Sequence, residues 1–172
     1  DFRTVIHNNN YICSINLITQ HCFFQSVNTI FSTTYKNVYM KGYFLKLIRK
    51  SQDRKIKNII KKWLIQIDQK EKLSQNIVAL NFNLYEGPYA LDLIGSNTYD
   101  ENDEDWACNE DFIPSLRHCP SLGISDDKSF EEVLKMIESI LRDLIREMPD
   151  IELFKVQHIA VGFVDGNLII IK

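Results

Sequence analysis

Seven carboxylates fall within the twelve residues Asp100–Asp111. They are Asp100, Glu101, Asp103, Glu104, Asp105, Glu110 and Asp111, with Trp106 in their midst. Charges packed so closely repel one another, and that cost is offset by a cation, by a basic surface or by water. Each offset implies a different chemistry. A calcium loop needs oxygen ligands at alternate positions, glycine at the sixth and glutamate at the twelfth. Asp100, Asn102 and Glu104 follow the alternation, but Asp105 stands at the sixth position and Asp111 at the twelfth. Without the glycine the sharp turn is lost, so the match to a calcium loop is poor. An aromatic ringed by carboxylates also has the make-up of an interface anchor with an acidic rim, suited to a basic protein surface. The plainest alternative is a solvated or internally paired loop whose Trp106 turns inward and pins it to the core.

The remaining reactive side chains form no comparable constellation. His21-Cys22 and His118-Cys119 are two His-Cys pairs, with Cys13 and Cys108 nearby, but their spacings are not those of a zinc site. Catalysis by Cys108 or Cys119 with His118 or His158 would need the pair to meet in space beside an orienting group. No Gly-x-Ser-x-Gly elbow or phosphate-cradling glycine loop is present. Asp92 interrupts an apolar run. It is expected on the solvent face of an alternating strand, since a buried carboxylate must be paired or perform chemistry. A basic helix face (Lys55, Lys57, Lys61 and Lys62, after Arg49, Lys50 and Arg54) could meet phosphates, but the acidic second half would repel a nucleic acid. No catalytic residue, metal site or cofactor is assigned.

The 172 residues are the size of one domain, and 45% hydrophobic and 25% charged residues describe an ordinary globular chain. The net charge of −3 conceals an asymmetry. Residues 1–75 hold 13 Lys and Arg against 4 Asp and Glu; residues 76–172 hold 7 against 19. The halves can neutralise one another by packing, or separate faces can steer a charged partner. The four cysteines do not resemble a disulfide framework and are expected to be reduced thiols, which points to the cytoplasm. No apolar run reaches the roughly 18 residues of a membrane span. Tyr11–Phe31 comes nearest but is broken by polar residues and lacks a signal-peptide pattern.

The elements that must position the acidic segment can be read from periodicity. Phe23, Phe24, Val27, Ile30 and Phe31 have helical spacing, and Met40 could open the working domain, with residues 1–39 an extension packed upon it. Helices are expected over about 36–50, 54–69 and 129–148. Asp53 caps the second, whose stripe is Ile56, Ile59, Ile60, Trp63, Leu64 and Ile67. Ser129 caps the third, with Glu132 completing a capping box. The period then shortens to two in two hairpins, about 76–95 around Glu86-Gly87-Pro88 and about 156–171 around Asp165-Gly166. Asp165-Gly166 is expected as a two-residue turn with positive φ at both positions, and Ile169-Ile170-Ile171 as a strand buried on both faces. The fold class is α+β: a mainly antiparallel sheet with helices packed on it, in a single domain.

The acidic stretch Tyr99–Phe112 and the closing hairpin Val161-Gly-Phe-Val-Asp-Gly-Asn-Leu168 resemble, in overall make-up, the immunity proteins of bacterial toxin–immunity systems, including contact-dependent growth inhibition. The resemblance implies a small domain that binds and blocks one cognate toxin. The basic first half departs from that family's uniformly acidic pattern. The leading expectation is a protein-binding module whose loop, Asp100, Glu101, Asp103, Glu104, Asp105, Trp106, Glu110 and Asp111, docks a basic protein such as a toxin nuclease. An enzyme with a dispersed site, helped by a divalent cation, and a homo-oligomer pairing through its C-terminal strand edge are the alternatives.

Overall fold

The computed structural model describes residues 40–172. The chain divides into two compact units, Asp1–Lys50 and Ser51–Lys172. In the first, the described residues 40–50 are helical and exposed. The readings made for Tyr11–Phe31, Cys13, His21, Cys22 and residues 36–39 lie outside the described residues.

The second unit is α+β, as the alternation of periods requires. Helix α1 covers residues 51–70. Its apolar stripe is buried at Ile56, Ile60, Trp63, Leu64 and Ile67. Asp53 is itself helical and caps nothing, because the residues before it already hold helical geometry. Strand β1 (Ala79–Tyr85) turns through Glu86-Gly87-Pro88 into β2 (Ala90–Ser96), and Gly87 supplies the positive φ of 50° that the turn needs. Helix α2 (Phe130–Glu147) starts where Ser129 Oγ accepts from the Glu132 backbone N–H at 3.3 Å. Strands β3 (His158–Phe163) and β4 (Ile169–Ile170) complete a four-stranded sheet in the order β2-β1-β3-β4.

Both expected hairpins form, and they join through a parallel β1–β3 pair, so the sheet is mixed. Two details of the closing hairpin differ from expectation. Neither Asp165 nor Gly166 has positive φ. The turn closes one residue earlier, with Gly166 N–H donating to Phe163 C=O at 2.9 Å. The three isoleucines are not buried on both faces either. Strand β4 is a two-residue edge with Ile170 exposed and Ile171 buried. A strand at the edge has a neighbour on one side only, so its residues are less covered than those of a central strand.

Strand alternation divides the sheet into two unlike faces. Leu80, Phe82, Leu84, Leu91, Leu93, Ile159 and Val161 belong to the main core with the stripes of α1 and α2. Trp63 meets Phe82 edge-on at 6.3 Å and donates its indole N–H to Leu116 C=O at 2.7 Å. The opposite face carries Ala79, Asn81, Asn83, Asp92, Ile94, His158 and Ala160, which apart from Ile94 are small or polar. The acidic loop covers that face.

Candidate functional site

Trp106 explains how a strongly acidic loop can lie on the sheet. It sits in a short 3-10 turn, Glu104–Cys108, begun by Asp103, whose carboxylate accepts from the Asp105 backbone N–H at 3.0 Å. The indole, 5% exposed, packs with Ala79, Ala107 and Ala160. Small residues on two neighbouring strands leave the room a tryptophan fills. Tyr99 lies 5.2 Å from Trp106 and stacks on His158 at 3.6 Å with the rings nearly parallel. Aromatic pairs of this kind contribute about 0.5–1.5 kcal/mol beyond their burial.

The far end of the loop is stitched to the outer edge of β2. Gly95 and Phe112 exchange backbone hydrogen bonds of 2.9 Å, Leu93 N–H donates to Arg117 C=O, and Cys119 N–H donates to Leu91 C=O. These bonds also occupy an otherwise open strand edge. Beneath them lies Asp92, whose side chain is 3% exposed. The expectation that Asp92 faces solvent is corrected, because the segment after the acidic loop covers its face of the strand. Its Oδ2 accepts from Arg117 Nε at 3.1 Å, and its Oδ1 faces His118 Nδ1 at 2.6 Å. Arg117 in turn reaches Glu110 at 2.6 Å. Glu110 first, then Asp92, hold the guanidinium above its ordinary pKa.

The Asp92–His118 pair has the form of an oriented general base, with the imidazole side chain 79% exposed. Such a pair acts on a nucleophile, and the thiol beside it does not serve. Burial, with the Asp92 charge adding to it, pushes the Cys119 thiol up to about 12, so it remains protonated at neutral pH. Cys108 is exposed. Among the described residues no cluster of three or more His, Cys, Asp or Glu is arranged to hold a metal ion.

The expected partner-binding residues divide sharply. Trp106 turns inward. Asp100, Glu101, Asp103, Glu104, Asp105, Glu110 and Asp111 are all exposed. Several carboxylates also accept from backbone N–H groups: Asp100 from Asn102 and Asp111 from Asn97, near the loop itself, and Glu104 from Leu168, just before β4. Among the described residues, Glu110 is the one loop acid in an ion pair. The basic stripe of α1 does not neutralise the others. Lys57 bridges Asp143 at 3.0 Å and Glu147 at 2.7 Å, and Lys61 also meets Glu147.

A cleft of about 290 Å³ opens between the loop, the floor of β1 and the β3–β4 turn. Asn81 and Asn83 form its floor, with Glu104, Asp105, Glu110 and Arg117 around them. The two asparagines were missed in the sequence, although their i, i+2 spacing between Leu80, Phe82 and Leu84 marks a polar strand face. Arg117 carried no local signal, because its role arises from the fold-back onto β2.

No protein-family model matches the chain, and no characterised protein or solved structure does so either. Among the described residues, no helix is long and apolar enough to cross a membrane.

Proposed function

We propose that this chain is a protein-binding module whose acidic loop docks onto a basic protein. The observation that carries this is the exposure of the loop carboxylates, six of the seven without an ion pair among the described residues, on a loop that is itself anchored. A pre-ordered loop loses little further entropy on binding, and exposed charges without an ion pair add attraction without first breaking a salt bridge. A nuclease toxin is the partner class we favour. A positive phosphate-binding cleft complements the loop, and occupying it would block the toxin, as the resemblance to immunity proteins implies. Trp106 serves this interface from beneath, by holding the loop, instead of contacting the partner.

The test is capture of the partner by the tagged chain from its native lysate at low and high salt, alongside a variant carrying Asp100→Asn, Glu101→Gln and Asp103→Asn. A single stoichiometric, basic protein, lost at high salt and lost with the variant, supports the proposal. Equal capture by both chains at low salt would refute it.

A further inference from the structure

The helix over residues 40–50 leaves an apolar face uncovered. At 3.6 residues per turn Met40, Tyr43, Phe44, Leu47 and Ile48 share one side of it, roughly 140° wide. A stripe of that width ordinarily meets a core, yet these side chains are 48% to 64% exposed. The cations take the rest of the helix. Lys46 and Arg49 lie opposite the apolar face, and Lys41 and Lys50 flank it on either side. Leu45 alone departs from the division. The segment holds no carboxylate, and the sequence has none from Phe2 to Gln52.

The charge selects what covers such a face. A second copy would set like cations against these. A nucleic acid would meet the cations and leave the apolar side chains in water. A bilayer with anionic headgroups offers hydrocarbon on one side of the helix and negative charge level with it. Lys41 and Lys50 stand where their stems can run along the apolar edge while their ammonium groups reach the headgroups.

We propose that residues 40–50 bind the surface of an anionic lipid bilayer, with Met40, Tyr43, Phe44, Leu47 and Ile48 seated at the boundary of headgroups and acyl chains. The density of cations lays the helix along the surface and not across it. This inference is independent of the docking proposal, which concerns the other compact unit of the chain.

Vesicles of equal parts phosphatidylglycerol and phosphatidylcholine are the probe, floated on a density gradient with the full chain. Vesicles of phosphatidylcholine alone are the neutral control. The chain should float with the anionic vesicles, less so at high salt, and not with the neutral ones. The anionic vesicles should also slow tryptic cleavage after Lys41 and Lys46, read by peptide mapping. Lys41→Gln, Lys46→Gln, Lys50→Gln should weaken binding about a hundredfold, as three cations each contributing about fivefold would. Phe44→Ser with Leu47→Ser should weaken it about tenfold or more. Both variants alter exposed side chains, so their melting curves should match that of the wild type. Absence of flotation with the anionic vesicles would overturn the inference, and so would equal flotation of the wild type and both variants. Capture of an acidic protein through the same residues, without vesicle binding, would move the helix to a protein groove instead. Self-association that is lost with Phe44→Ser and Leu47→Ser, again without vesicle binding, would give the face to a second copy.

Discussion

Two acidic regions of this chain meet opposite fates. On α2, Asp143 and Glu147 face Lys57 and Lys61 of α1, and Asp143 also pairs with Arg146. On the loop, Glu110 alone among the described residues has an ion-pair partner, and the other six carboxylates face outward. The contrast divides the chain's charge asymmetry into two parts. Part of the basic first half is consumed internally by the last helix. The loop's negative charge is not, although the loop is anchored to the sheet. Buried aromatic surface and backbone bonds to β2 fix it, with the Glu110–Arg117–Asp92 link and carboxylate caps on backbone N–H groups beside them.

The largest test of that division is Trp106→Ala. If the indole holds the loop against its own repulsion, stability measured by denaturant should fall by about 3–5 kcal/mol. The loop should also become sensitive to proteolysis while α1 and α2 stay protected. Unchanged stability would show that the backbone bonds suffice. Asp92→Asn is next. Its buried carboxylate serves two partners, but Arg117 and His118 are themselves 25% and 79% exposed and can turn to water. A loss of about 1–3 kcal/mol is therefore expected, below that for a fully buried pair.

These two residues also show what was legible in the sequence. The helical stripe from Ile56 to Ile67, the Ser129 cap and the Glu86-Gly87-Pro88 turn are local patterns, and each forms as read. The parallel join of β1 to β3 was not legible, because it depends on how two separate hairpins meet. The acids of the loop could be found from composition alone. Asp92 was misplaced, since strand alternation says which residues share a face and not what later chain covers it. Asn81 and Asn83 bore a visible signal, two amides at strand spacing, whereas the Arg117 link could emerge only after residues 112–119 folded back onto β2.

The helix seam offers a smaller test by pH. Hydrogen bonds from Lys57 hold the Asp143 and Glu147 carboxyls below their usual values. A carboxyl lowered on folding contributes stability above its unfolded pKa, lost as pH falls through the folded one. Asp143→Asn with Glu147→Gln should therefore cost a little thermal stability at neutral pH, and the gap from wild type should close in acid. Partner capture should not change. A strong loss of capture would erase the distinction between the two acidic regions. Smallest in effect is thiol reactivity. Under native conditions at pH 8, iodoacetamide followed by peptide mapping should label Cys108 and spare Cys119. Rapid labelling of Cys119 would mean that the segment stitched to β2 opens readily.

The docking claim is tested most directly by association kinetics with the purified partner across ionic strength. For the wild-type chain the association rate should fall steeply with salt. In Asp100→Asn, Glu101→Gln, Asp103→Asn it should start about tenfold or more lower and vary less. Identical rates and identical salt dependence for the two chains would contradict the claim that these exposed carboxylates meet a basic protein.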